Sequence, residues 1–154
     1  MSKNTGDTVP KIFKIAAGET YKIRRPVLRP GRPPEECLFE GDDRASTLHL
    51  GIFLEKDLAG VASFMNNKNP LFEDAVQFQL RGMAVLPQYQ HQNLGRELLL
   101  EGENLLKRQF QSPLLWFNAR ESAVGFYARY GYQTKGDLFM VPNVCMHVVM
   151  FKNL

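Results

Sequence analysis

The run Leu114-Leu-Trp-Phe117 contains no polar residue. A short strand of that kind sits at the centre of a sheet, covered on both faces, so it limits the chain to folds that bury a sheet. Helical stretches flank it. Upstream, Leu94, Leu98, Leu99, Leu105 and Leu106 recur at helical spacing between Leu94 and Phe110. Downstream, a helix is expected from Arg120 to Tyr130, stopped by Gly131 in the usual C-terminal position. Earlier in the chain, Lys11–Ala17 reads as a first strand ended by Gly18. Glu19–Leu28 reads as a helix, kinked or in two pieces because Pro26 removes a hydrogen bond and crowds the preceding turn. Arg29–Pro34 can only be loop. Thr47–Leu54 and Leu58–Met65, joined by Glu55-Lys-Asp57, have hairpin spacing. Asn66–Pro70 is a turn cluster, and Ala75–Leu86 a third, longer strand. Tyr132 onward and Met146–Phe151 supply the last strands. The order is β-α-β-β-β-α-β-α-β-β, a layered α/β arrangement with no internal repeat and no linker.

At 154 residues the chain suits one domain, 1–154, and is too short for two ordinary ones. Residues 1–10 are polar, lack the apolar core of a secretion signal, and are expected to form a loose tail. With no apolar run near the roughly 18–20 residues that span a bilayer, no membrane contact is expected, and the expected location is cytoplasmic. Cys37 and Cys145 form no CxxC pair, which fits a reducing compartment. Cys145 and His147 are two ligand types at close spacing, but the histidines at 49, 91 and 147 are scattered, and no metal site is expected. Residues 1–35 carry eight Lys/Arg against three Asp/Glu. That basic arm lacks the interleaved aromatics of a nucleic-acid face and reads as a solvated helix and loop, so no nucleic-acid partner is expected.

The most informative stretch for chemistry is Met83 to Arg96. A strand stops at Pro87, a polar loop turns, and a helix begins near Leu94. Amide N–H groups at a helix N-terminus, reinforced by the helix dipole, suit a diphosphate. Gly95 permits close backbone approach and Arg96 adds a positive charge. The segment Gln90-His91-Gln92-Asn93-Leu94-Gly95 resembles the (Gln/Arg)-x-x-Gly-x-(Gly/Ala) signature of the GNAT N-acyltransferase superfamily. Asn93 departs from it, standing where relatives have their first glycine. Asparagine is the side chain that best tolerates left-handed backbone.

A second stretch, Phe117 to Tyr132, resembles the family's x-x-Ala-x-x-Phe-Tyr-x-x-x-Gly-(Phe/Tyr) motif through Ala123, Phe126, Tyr127, Gly131 and Tyr132. Arg120 stands where many relatives have asparagine, and Asn118 lies two residues away as a substitute contact. The resemblance extends to Ile23–Gly31, Gly41-Asp-Asp43 and Leu80–Val85. It implies the GNAT fold: a mixed sheet of about six or seven strands with splayed central strands and about four flanking helices. It also implies an acetyltransferase using acetyl-coenzyme A as co-substrate. By the same resemblance, Met83, Ala84 and Val85 hold the pantetheine arm, one N–H near Met83 polarises the thioester, and Gln90–Arg96 with Asn118 and Arg120 contact the cofactor. Tyr127 then donates a proton to the departing thiolate; the alternative is a core aromatic with its hydroxyl at a wet edge.

The resemblance further implies an acceptor that is an amine of a small molecule or peptide, whose proton a base must take. His147 and His49 are the candidates, with Glu73 and Glu40 behind them; either histidine can equally be an ordinary strand residue. Arg81 together with Arg25 or Arg29 would suit an anionic acceptor. Self-association through the C-terminal strands, as a homodimer, is compatible with the family. The departures at Asn93 and Arg120 keep open a second reading, a non-catalytic or regulatory acyl-coenzyme A-binding module. No GxGxxG or Walker A sequence occurs, which argues against dinucleotide chemistry.

Overall fold

Apolar runs alternate with proline- and glycine-rich breaks, and each run between breaks becomes one element. In the computed structural model, which describes residues 9–154, these are β1 (Lys11–Lys14), α1 (Ala17–Leu28), β2 (Leu48–Leu54), β3 (Asp57–Met65), β4 (Gln77–Val85), α2 (Leu94–Gln109), β5 (Leu114–Arg120), α3 (Val124–Ala128), β6 (Gln133–Val141) and β7 (Cys145–Asn153). Residues 1–8 of the expected tail lie outside the described part. The strands form a seven-stranded mixed sheet in the order β1-β2-β3-β4-β5-β7-β6, as the α/β reading anticipated. Among the described residues the α-helices number three, not about four. At Pro34–Cys37 there is only a 3-10 turn, because prolines 30, 33 and 34 remove the amide donors a longer helix would need.

The chain divides into two compact units. One holds the chain through Met65 together with Arg81–Asn104; the other holds Asn66–Leu80 and Leu105–Leu154. In the first, β1, β2 and β3 pair antiparallel. Ile23 of α1 closes a core with Val61 and Ala84, joined by Ile15, Val27, Leu58 and Leu86. Of the two alternatives expected, the two-piece helix is not seen: α1 is one helix from Ala17 to Leu28 with Pro26 inside it. Pro26 lies in the last turn, where it forfeits one bond to the Lys22 carbonyl, and the Arg29 N–H closes the end on the Arg24 and Arg25 carbonyls at 3.3 and 3.2 Å. Gly102 of α2 faces Phe64 so closely that a Cβ would enter the ring. A mid-helix glycine costs roughly 1 kcal/mol against alanine, and here close packing is what it returns.

In the second unit, Leu114, Trp116 and Val149 pack with Phe72 and Phe151, and Trp116 Nε1 donates to the Asn67 carbonyl at 2.9 Å. β4 and β5 pair in parallel over Gln77–Gln79 and Leu114–Trp116. The side chain of Gln77, 1% exposed, donates to the Phe72 and Asp74 carbonyls and accepts from the Asn69 N–H, fixing the preceding loop. The helix expected over 120–130 is shorter: β5 continues to Arg120, a 3-10 turn covers Glu121–Ala123, and α3 begins at Val124. The cause is β7, whose ladder partners β5 from Leu114 through Arg120 and holds those residues extended. Gly131 does stop α3. Its φ is +91°, its N–H reaches the Ala128 carbonyl and the Tyr132 N–H reaches that of Tyr127, the two bonds of a Schellman motif.

Candidate active site

The first unit contributes the turn between β4 and α2. Met83, Ala84 and Val85 end β4, Pro87–Tyr89 make a 3-10 turn, and α2 starts at Leu94. Asn93 has φ +63°, the left-handed backbone expected of it, and His91 shares that conformation at +65°. Histidine visits that region less readily than glycine or asparagine and no motif position marks it, so only the structure reveals the second left-handed residue. The first bond of the α2 ladder runs from the Glu97 N–H to the Asn93 carbonyl at 3.0 Å. The N–H groups of Leu94, Gly95 and Arg96 therefore precede the ladder and have no helical acceptor. His91, Gln92, Asn93 and Arg96 are exposed around them. Left-handed residues, free first-turn amides and an exposed guanidinium form a cradle that fits a diphosphate. Gln90, also exposed, donates from its side-chain amide to the Val85 carbonyl at 3.0 Å.

Gly82, just before Met83, has φ +63°, and a Cβ there would stand 2.9 Å from both Arg24 Nε and the Phe39 ring. Only glycine fits that bend. Behind it lies a buried polar network. Arg24, fully buried, grips Asp42 with both Nη atoms at 2.7 and 3.0 Å and also donates to the Cys37 carbonyl and Ser63 Oγ. Burial alone would raise the Asp42 carboxyl, but hydrogen bonds from Arg24 and the Phe39 N–H outweigh it and hold the group below its ordinary range. His49 belongs to the same network. Its Nε2 lies 2.8 Å from the Asp42 carbonyl and its Nδ1 2.6 Å from Ser63 Oγ. A carbonyl only accepts, so Nε2 carries the proton; Ser63 accepts from Arg24 and so donates to Nδ1. Both nitrogens of His49 are engaged. The signal for this network was a charged residue beside Ile23 on the buried side of α1.

The second unit contributes β5, α3 and β7. Asn118 and Arg120 are exposed on β5, and Arg120 is the register partner of His147 on β7. His147 is buried, and its Nδ1 donates to the Cys145 carbonyl at 2.9 Å, leaving the Nε2 lone pair to receive a proton. Tyr127 packs its ring 4.2 Å from Phe117 and 5.1 Å from Phe126, centre to centre. The residue keeps some surface, yet burial pushes its hydroxyl pKa up to about 12, so it is a proton donor at any physiological pH. Glu40 and Glu73, the lesser candidates, are both exposed. His49 and the turn at Gln90–Arg96 thus belong to the first unit, and Asn118, Arg120, Tyr127 and His147 to the second.

Residues 38–154 match the family model described as an acetyltransferase (GNAT) domain. The chain is 36% identical to the N-acetyltransferase YitI of Bacillus subtilis over 144 residues, covering 94% of this chain and 96% of that one. Among solved structures it resembles ElaA of Escherichia coli, with a TM-score of 0.77 at 12% identity, covering 94% of this chain and all of the other. It also resembles the PaiA N-acetyltransferase of Thermoplasma acidophilum in complex with coenzyme A, with a TM-score of 0.70 at 17% identity over 95% and 99% of the two chains. The motif at Gln90–Gly95, the one at Ala123–Tyr132, the sheet order and the matched domain all agree: this chain is an N-acetyltransferase of the GNAT family.

Proposed function

We propose that the protein moves the acetyl group of acetyl-coenzyme A directly onto the amine of a small molecule or peptide within a ternary complex. The observation that carries this reading is the turn at Gln90–Arg96, where left-handed His91 and Asn93 precede three amides that the α2 ladder leaves free. Those amides and Arg96 bind the diphosphate, while the main chain of Met83–Val85 pairs with the pantetheine arm as an added strand would. The Met83 N–H stabilises negative charge on the thioester oxygen as the amine attacks. The lone pair of the acceptor nitrogen forms the new N–C bond and the C–S bond breaks. His147 Nε2 takes the proton lost by the amine; it is preferred to His49, whose two nitrogens are both bonded. Tyr127 donates its proton toward the departing sulfur, and Asn118 and Arg120 contact the cofactor from β5.

A screen of amines and peptides that reports free thiol from acetyl-coenzyme A tests the reading directly. Thiol release that depends on an acceptor supports it. Tight acetyl-coenzyme A binding with no release across the screen would instead favour the binding-module reading. The left-handed backbone of Asn93, the conformation a glycine would adopt there, supports the catalytic reading over that alternative.

A further inference from the structure

The first unit holds a half-buried cation that has no ion-pair partner among the described residues. Arg81 is half-buried on β4 with its guanidinium 4.5 Å from the centre of the Phe39 ring. Among the described residues it makes no hydrogen bond or ion pair. Arg24 stands over the same ring at 4.1 Å, but Asp42, Ser63 and the Cys37 carbonyl saturate its Nη atoms. The charges acting on Arg81 are Arg24, Asp42, Arg29 and Glu40. Desolvation, and then the neighbouring Arg24, push the Arg81 pKa below its ordinary value; the protein holds this cation at a cost.

The platform beneath Arg81 is fixed. Phe39 donates its N–H to Asp42 Oδ2 at 2.9 Å, and Arg24 clamps that same carboxylate. Arg81 directly precedes Gly82, where β4 bends, and stands two residues before Met83, whose N–H the proposed mechanism uses. A planar guanidinium with its N–H edge unoccupied takes a carboxylate through two parallel hydrogen bonds. A single guanidinium without an ion-pair partner suits a singly charged carboxylate, whereas a phosphomonoester carries close to two charges at neutral pH. Resting on the N-acetyltransferase reading, we propose that the acceptor is a small amine that also bears a carboxylate, and that Arg81 on its Phe39 platform receives that carboxylate.

The test sets free α- and ω-amino acids against their carboxamides and their aminoalkyl phosphonate analogues, with release of free coenzyme A as the rate. For the wild type, kcat/KM for the best amino acid should exceed that of its carboxamide by at least about 30-fold. In Arg81→Gln that ratio should fall to near one, mainly through KM. Arg81→Lys, which keeps the charge and loses the fork, should give an intermediate ratio. The ratio compares two substrates on one protein preparation, so a partly destabilised variant still reports it. Equal rates for acid and carboxamide on the wild type, preference for the phosphonate, or an unchanged ratio in Arg81→Gln would each overturn the inference. The broader reading fails in a different place, at absent stabilisation by acetyl-coenzyme A. Should acetyl-coenzyme A stabilise the protein and no amino acid be turned over, the carboxylate inference alone is refuted.

Discussion

A phenol in water ionises near pH 10; packed among Phe117, Phe126 and Tyr132, Tyr127 holds its proton to about 12. Two consequences follow for the rate. Tyr127→Phe should lower kcat by about 10²-fold, the low end of general acid catalysis, and leave acetyl-coenzyme A affinity within about twofold, as measured by calorimetry. An alkaline fall in kcat/KM below pH 10 in the wild type must arise from another group and should persist in Tyr127→Phe. Asp42 titrates in the opposite sense. Its folded pKa lies below its unfolded value, so its contribution to stability is present above about pH 4 and is lost as pH falls through the folded pKa. Asp42→Asn should flatten that acid limb in urea melts from pH 6 to pH 2. It should also destabilise the protein at pH 7, by about 3 kcal/mol, because Arg24 would remain buried without its counter-charge. Of these residues, Tyr127 was legible through its motif. The Arg24–Asp42 clamp was not, because α1 and the loop at 37–42 meet only through folding, and no local pattern in either marks the other as its partner.

Elements were legible where their signal is local. The α2 stripe, the β2–β3 hairpin and the stop at Gly131 are each decided by residues within a turn or two. α3 starts later than helical spacing suggests because β7, a strand that arrives some 25 residues later, holds β5 extended as far as Arg120 and a 3-10 turn follows over Glu121–Ala123; a long-range ladder overrides helical spacing. The same contrast gives a prediction at α2. Gly102 looks like a weak point in a helix, so propensity alone says that Gly102→Ala should stabilise by roughly 1 kcal/mol. The Phe64 ring occupies the position the new methyl would take, and Phe64 is itself fully buried. Overpacking of that kind costs about 1–3 kcal/mol, so the variant should unfold at lower temperature than the wild type. A higher melting temperature would mean that Phe64 can move aside.

For the chain as a whole, cofactor binding and folding are linked by mass action. A ligand held only by the native state adds RT ln(1 + [L]/Kd) to stability, about 2.7 kcal/mol at one hundred times Kd. In a chain of 154 residues, each kcal/mol shifts the melting temperature by roughly 2–4 °C, so saturating acetyl-coenzyme A should raise it by about 5–10 °C. The resemblance at Gln90–Gly95 made this expectation readable from sequence. For the acceptor, the sequence offered Arg81 as one of several arginines suited to an anion; the Phe39 ring beneath it was not readable, since no motif joins the two. Gly95→Glu separates the cofactor's effect on stability from that of the fold. The introduced carboxylate would sit in the first turn of α2, where negative charge suits the helix dipole, so the unliganded protein should melt within about 2 °C of the wild type. The same charge would meet the diphosphate head-on, and the side chain would fill the approach that glycine leaves open. The ligand-induced rise should therefore vanish in the variant at concentrations that saturate the wild type. If it persisted in full, the diphosphate would not lie at the α2 N-terminus, and the assignment of Gln90–Arg96 would have to be withdrawn.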